Sequence, residues 1–477
     1  MKYQTVIGLE VHLQLKTKTK AFCGCAIDFG REPNSSVCPV CLGFPGSLPV
    51  YNKEALNYAI KVALALGCQV QEHTKFDRKN YFYPDLPKNY QISQYDLPLS
   101  RNGFLDITAD GKPKRIGITR VHLEEDAGKL IHETEASLVD FNRAGIPLLE
   151  IVSEPDLNSA QEAFDYLTRL KTIIEYLDVS DCDMEKGSLR CDANISLRPE
   201  GIKELGVKTE LKNMNSFKGV KDALNFEAGR QAELLESGQT LKQDTRLWDA
   251  QKNVTVSMRT KEGAKDYRYF PDPDLTVFII GQEMISGIKD SLPELPGLKL
   301  RRFVEEYSLS EYDAGILVSY KKDAEFAEEC LKQYPGKDKK NMANWLIGPL
   351  LSEANTRNLS LHQLGVNIDE LTSLIGFVQR QELSHLNAKS VLTQMLDSGR
   401  SAQEIIKERN LLQISDTAEL EQVIIAVIRE NEKSVNDLKN GKANALMFLV
   451  GQVMKKSSGK ANPKIVQELI KRRIDNA

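Results

Sequence analysis

From Ile7 to Leu15 every odd residue is apolar (Ile7, Leu9, Val11, Leu13, Leu15), and every even residue is glycine or polar (Gly8, Glu10, His12, Gln14). Strand side chains alternate between faces, so this stretch can only lie on a sheet with one face in a core and the other open. A helix would smear the two sets around its circumference. Leu189–Arg198 repeats the pattern. Leu189, Cys191, Ala193, Ile195 and Leu197 alternate with Arg190, Asp192, Asn194, Ser196 and Arg198. A third stretch, Arg120–Asp126, sets Arg120, His122, Glu124 and Asp126 against Val121, Leu123 and Glu125.

These strands carry the candidate chemistry. Glu10 and His12 stand side by side on the polar face, where a carboxylate beside an imidazole can hold a divalent cation or move protons. Arg190, Asp192 and Asn194 form a stripe suited to phosphate and metal, because guanidinium meets phosphate oxygens two at a time. Three consecutive acids end the third stretch, so alternation leaves open whether Glu124 or Glu125 faces the site. Glu150 and Glu210 lie in further strand-like runs. Several carboxylates and a histidine on one sheet resemble a hard-cation site for Mg²⁺ with a nucleotide. No Walker loop or G-x-G-x-x-G run is present, so ATP would be met on a sheet through metal ions. A solvated sheet face and a surface ion-pair ladder are the competing readings of these stripes.

Four of the eight cysteines cluster as Cys23-x-Cys25 and Cys38-x-x-Cys41. Two close pairs on a short loop supply four thiolates to one tetrahedral ion, and a four-thiolate zinc has no open position, so it would be structural. Loops at Phe76–Pro84, Tyr90–Asp96, Lys212–Phe217 and Asp266–Asp272 mix aromatics with cations and amides. Such loops can stack bases or simply cover a sheet.

The chain's 477 residues are enough for two to four domains. Leu292-Pro-Glu-Leu-Pro-Gly297 breaks it. Helical patterns follow at Leu298–Tyr307, Asp313–Tyr320, Ala324–Gln333, Asn341–Asn355, Ile368–Arg380 and Asn387–Ser398. A second boundary falls near residue 405, with a capping box at Asp416–Glu419, an apolar run Val423–Ile428 and a last helix at Pro463–Arg473. The expectation is an α+β protein. A large, mainly antiparallel-sheet domain (1–292, with a zinc-binding insertion near 23–41) precedes an all-α domain (293–405) and a small helical tail (406–477).

The net charge is −4, which excludes a chain that is basic throughout. Between Lys439 and Arg473, however, nine cations meet one acid, Glu468. That bias fits either a solvated helix face or a phosphate-contacting surface. No apolar run reaches the ~20 residues of a membrane span, and the N-terminus reads straight into a strand, so a cytoplasmic protein is expected.

The motifs together resemble the B-subunit family of bacterial aspartyl/glutamyl-tRNA amidotransferases. The likeness runs through Ile7–His12, Lys75–Pro84, His122–Lys129, Ile151–Asp156, Gly187–Asn194, Glu210–Phe217, Asp266–Pro271 and Phe448–Met454. It implies a core similar in fold to glutamine synthetase. It also implies a kinase and transamidase that phosphorylates the side-chain carboxylate of Glu-tRNA(Gln) or Asp-tRNA(Asn) with ATP. Ammonia from a glutamine-hydrolysing A subunit then amidates it, and a small C subunit completes a heterotrimer. This chain offers no amidase Ser-Ser-Lys arrangement, which fits a partner supplying ammonia.

On that likeness Glu10, His12, Arg190 and Asp192 are the expected catalytic residues. Glu10, His12, Glu124, Glu125, Glu150 and Glu210 are candidate Mg²⁺ ligands, and Cys23, Cys25, Cys38 and Cys41 would hold zinc. Lys79, Tyr81, Arg190, Asn194, Asn213, Asn215 and Ser216 would meet ATP or substrate. Lys455, Lys456, Lys460, Lys464, Lys471 and Arg472 would grip tRNA. Two other readings stay open: a non-catalytic RNA-binding scaffold with a zinc knuckle, and a free-standing ligase acting on free glutamate.

Overall fold

The computed structural model describes residues 3–258, 267–412, 417–439, 442–457, 461 and 463–475. The chain divides into two compact units, Met1–Pro296 and Gly297–Ala477.

The strands of the first unit are β1 Tyr3–Gln14, β2 Gln69–Val70, β3 His73–Thr74, β4 Asp77–Asn80, β5 Tyr90–Ser93, β6 Ser100–Ala109, β7 Lys112–Glu125 and β8 Lys129–His132. They continue as β9 Ser137–Asp140, β10 Pro147–Ser153, β11 Leu189–Pro199, β12 Thr209–Lys212, β13 Asp244–Asp249, β14 Val254–Ser257, β15 Phe270–Pro271 and β16 Phe278–Ile279. Nine of them form one sheet in the order β14-β13-β12-β11-β1-β10-β7-β6-β2. Neighbours run antiparallel except β12 and β13. A small sheet, β15-β4-β5, contains Lys79 in β4 and Tyr90 in β5, so the stretches expected as loops there are partly strands that pair with each other.

The alternation explains the layering. Ile7, Leu9, Val11 and Leu13 of β1 are each 1% exposed, whereas Gly8, Glu10, His12 and Gln14 are half-buried. The apolar face is covered by helices α1 (Lys53–Ala65), α2 (Ala160–Leu177) and α3 (Phe217–Glu236), which supply Ile60, Tyr166, Leu170, Ile174, Val220 and Leu224 to one core. Each helix begins on a side-chain cap that satisfies free backbone N–H groups: Asn52, Ser159 and Ser216 respectively. α4 (Gln282–Asp290) packs Met284, Ile285 and Ile288 on the same core. The polar face of the sheet is thereby left for function.

The second unit is helical. It runs α5 Pro296–Tyr307, α6 Glu311–Leu317, α7 Lys321–Gln333, α8 Lys340–Trp345, α9 Leu351–Arg357, α10 Ile368–Gln379, α11 His385–Ser398 and α12 Ala402–Glu408. α6 stops before the expected Tyr320, because Tyr320 turns extended and becomes the N-cap of α7. The pattern over 341–355 is two helices with a π-helical turn, Leu346–Leu350, between them. Pro349 sits in that turn; proline has no N–H to donate, and its ring strains an ordinary helix.

Then come α13 Thr417–Glu430, α14 Glu432–Lys439, α15 Ala443–Lys456 and α16 Pro463–Asp475. Leu420, Ile424, Val427, Leu449, Val453, Val466 and Ile470 form their own apolar cluster. The expected cap at Asp416 lies outside the described residues. No described helix is long and apolar enough to cross a membrane.

Candidate functional site

Register builds the site. His12 on β1 lies opposite Glu150 on β10, and Glu150 lies opposite His122 on β7. On the other side His12 faces Arg190 of β11. One row across four strands therefore reads Arg190, His12, Glu150, His122. Glu124, two residues along β7 from His122, projects from the same face.

The His12 Nε2 atom sits 3.6 Å from Glu124 Oε1 and 3.7 Å from Glu150 Oε2. Ligand atoms of these three residues all lie within 4.8 Å of one another. Burial and the charge of Glu150 hold the Glu124 carboxyl above its ordinary range. Burial would raise Glu150 too, but His122, His12 and Arg120 outweigh it and hold that carboxyl down. An imidazole and two partly compensated carboxylates around one point are a donor set for a divalent cation. Because a second positive charge would relieve Glu124, the arrangement fits such an ion.

Two polar groups flank the cluster. Asp126 accepts from Arg190 Nη2 at 2.8 Å and from Gln14 Nε2 at 2.6 Å, with Arg143 Nε 3.6 Å away. This pins the guanidinium beside His12. On the other side Glu10 accepts from Asn194 Nδ2 at 2.9 Å. Lys212 bridges Asp192 and Glu210, and Glu210 also accepts from Thr245 Oγ1 at 2.9 Å. Burial works against the Lys212 ammonium, but the two carboxylates outweigh it and raise its pKa.

Buried polar atoms without a hydrogen-bond partner collect here: Arg120 Nε, His122 Nδ1, Arg190 Nε and Asn194 Oδ1. Aromatic residues and a cation stand close by. Lys79 Nζ lies 4.8 Å from the Tyr267 ring centroid and 5.8 Å from that of Tyr81. Tyr95 and Tyr269 stack with centroids 4.4 Å apart. The charges of Glu124 and Glu150 add to burial in raising the Tyr269 hydroxyl.

Glu124 and Glu125 part company. Glu125 is buried against Lys88 Nζ at 2.6 Å and accepts from the Ile92 backbone N–H at 2.9 Å. With Lys20, Cys23 and Cys41 it lines a cavity of about 120 Å³. It stands outside the His12 group, as do Glu10 and Glu210.

In the 213–216 loop, Asn213 takes a left-handed conformation (φ 67°) and donates to Trp248 O at 3.1 Å. Asn215 is exposed, and Ser216 caps α3 by accepting from Gly219 N at 3.0 Å. On the tail helices Lys455, Lys456, Lys471 and Arg472 are exposed, with Lys456 paired to Glu430. Lys460 and the Lys464 side chain, like Asp266, lie outside the described residues.

The four clustered cysteines converge, with sulfur atoms within 4.8 Å of one another. The Cys23 thiol donates to Cys41, which also takes the Cys38 backbone N–H at 3.2 Å and faces Lys20 Nζ at 3.6 Å. Those contacts, Cys23 first, hold the Cys41 thiol down to about 4, while burial lifts Cys25 to about 11. Four sulfurs in this space fit a tetrahedral ion.

His122, Asp126, Gln14 and Lys212 were not among the expected site residues. Parity already sets Gln14, His122 and Asp126 on the polar faces, and Lys212 follows Glu210 by two residues on the same strand.

The fold and site define a class: a sheet protein that gathers acids, histidines and arginines on one open face, with a helical second unit. The chain belongs to the GatB/GatE family. The model of the GatB/GatE catalytic domain matches residues 5–286, and that of the GatB domain matches residues 325–474. The B subunit of the aspartyl/glutamyl-tRNA(Asn/Gln) amidotransferase from Carboxydothermus hydrogenoformans is 53% identical over 99% of each chain. The protein of the same name from Thermoanaerobacter sp. (strain X514) is 52% identical over 99% of this chain and all of its own. That from Brevibacillus brevis is 50% identical over 98% of each.

Proposed function

We propose that this chain is the kinase and transamidase subunit of a tRNA-dependent amidotransferase, a ligase that forms a carbon–nitrogen bond with glutamine as nitrogen donor. One observation carries the reading: an imidazole and two carboxylates from three strands meet beside a pinned arginine, in a chain alike from end to end to B subunits.

The reaction would run in two steps. The γ-phosphoryl of ATP passes to the side-chain carboxylate of Glu-tRNA(Gln) or Asp-tRNA(Asn), giving an acyl phosphate and ADP. Ammonia then attacks the acyl carbon, and phosphate leaves with the bonding electrons. Phosphoryl transfer is mostly positioning and charge neutralisation. His12, Glu124 and Glu150 would hold Mg²⁺, which when bound would neutralise phosphate charge. Arg190, fixed by Asp126, would face phosphate oxygens. Asp192, Asn194 and Glu10 would orient the acceptor carboxylate and nucleotide, and Glu210 would act through Lys212. Lys79 and Tyr81 would close the site from the small sheet.

The antiparallel sheet with acids on one face supports the likeness to glutamine synthetase. The cysteine quartet would hold structural zinc. We read 1–292, 293–405 and 406–477 as catalytic, helical and tRNA-gripping domains. Lys455, Lys456, Lys471 and Arg472 would contact phosphates. An A subunit supplying ammonia and a C subunit would complete the enzyme in the cytoplasm.

The test is ATP hydrolysis by the chain co-purified with both partner subunits, with and without glutamyl-tRNA. Stimulation by the misacylated tRNA, abolished in His12→Ala, is expected. A complex that binds the tRNA yet shows no stimulation would overturn the kinase assignment.

A further inference from the structure

We infer that His122 is the positioning residue of the sheet site: from β7 it donates to the Glu150 carboxylate and holds that carboxylate as a cation ligand. The inference rests on the proposed cation site.

The imidazole is 2% exposed and cannot swing into solvent. Its Nε2 lies 3.2 Å from Glu150 Oε2 and 4.0 Å from Glu124 Oε2. An ionised carboxylate can only accept, so a hydrogen placed in this contact belongs to Nε2. That nitrogen then has no lone pair for an ion, and the three-residue donor group closes without it. His122 therefore acts through Glu150.

A glutamate ligand has free rotors, and it binds an ion well only when one oxygen is already aimed. A fixed donor behind the ligand does the aiming. The row His12, Glu150, His122 puts the ligand between two imidazoles of different duty. His12 stands nearly equidistant from both carboxylates, as a fellow ligand would. His122 makes the shorter contact, to one of them. The far nitrogen supports the assignment. Nδ1 is buried with no partner, whereas a histidine present only for packing would be expected to satisfy both nitrogens. Leaving it orphaned costs stability, a feature typical of functional sites.

The experiment measures Mn²⁺ alone binding to the full chain, with free ion read by electron paramagnetic resonance. Mn²⁺ is a hard ion that competes poorly for thiolates, so the cysteine quartet does not interfere. His122→Phe keeps bulk and removes the donor. Its affinity should fall about 10–100-fold, as for other residues behind metal ligands. His122→Gln places an amide N–H near the Nε2 position and should recover most of the loss. His122→Asn, whose amide stops short, should not, and it replaces the phenylalanine variant should that fail to fold. Phenylalanine binding Mn²⁺ as tightly as the parent, or glutamine binding as weakly as phenylalanine or asparagine, overturns the inference. Glu150→Gln separates the two levels: if it leaves affinity untouched, the cation site itself has failed, and this inference with it.

Discussion

The cysteine quartet and the His12–Glu124–Glu150 group both bring donor atoms within 4.8 Å, yet they are built in opposite ways. The quartet comes from one loop between β1 and α1, and its thiols are held by their own neighbours and Lys20. The sheet group comes from β1, β7 and β10, and exists only because the register of three strands is correct. On the proposed reading a zinc ion orders this loop, whose residues 28–35 are all exposed. The sheet stands on a core packed by four helices, built from residues other than the cluster's own. If the two clusters hold metals as proposed, the structural one and the chemical one should therefore be separable by mutation.

The largest effect should come from the quartet. Cys41→Ser should abolish bound zinc, measured by elemental analysis, and expose the loop to trypsin after Arg31. Zinc contributes about 10–16 kcal/mol to small four-ligand modules, so partial order is not expected to survive. Retained zinc, or an unchanged cleavage pattern, would break the comparison at once. The second effect is chemical. His12→Ala should lower tRNA-stimulated ATP turnover by ~10²–10³-fold, as loss of a charge-stabilising group does. Zinc content and cleavage should stay as in the parent. If zinc is lost as well, the two clusters are one cooperative system.

How far each cluster was legible follows from its construction. Cys23, Cys25, Cys38 and Cys41 declare themselves because spacing is a local property. Parity also worked in part: it placed Glu10 and His12 on the open face and grouped His122 with Glu124. Cross-strand partners did not show, because register links residues far apart in the chain, and no spacing says that His12 meets Glu150. Glu124 and Glu125 could not be told apart because three consecutive acids hide where the strand ends; it runs through Glu125, so the pleat sends that side chain to the other face, against Lys88. The π turn at Pro349 was invisible for a related reason, since hydrophobic period survives one widened turn.

A third prediction compares acids on the two faces of the sheet. Glu124 is buried beside Glu150 and is held up. Glu227 of α3 is fully buried yet satisfied by Arg230 at 2.6 Å, Gln231 at 3.0 Å and Thr255 at 3.0 Å. Burial alone would raise its pKa; those partners outweigh it and lower it. A carboxyl lowered on folding stabilises fully above the ordinary glutamate value, about 4.3, and loses that contribution as pH falls below it. Glu227→Gln should thus cost about 3 kcal/mol at neutral pH, by leaving Arg230 uncompensated. The gap from the parent should close as the pH drops through the acid range. Denaturant melts at several pH values check this, and a pH-independent gap would mean packing, not charge, is at stake.

The smallest effect concerns Ser216, where a structural and a functional duty compete for one hydroxyl. Its oxygen accepts from Gly219 N as the cap of α3, while its loop follows the strand that carries Glu210 and Lys212. Ser216→Ala should cost about 1 kcal/mol, as cap removal does. Ser159→Ala at the head of α2 should cost a similar amount and serves as the reference. Ser216→Asp caps well, so it should restore stability. It also adds a negative charge. If the loop reaches the nucleotide, that charge repels phosphate and raises the ATP KM while the melting temperature recovers. If KM stays at the parent value in Ser216→Asp, the hydroxyl serves the helix alone, and the nucleotide site ends at Lys212.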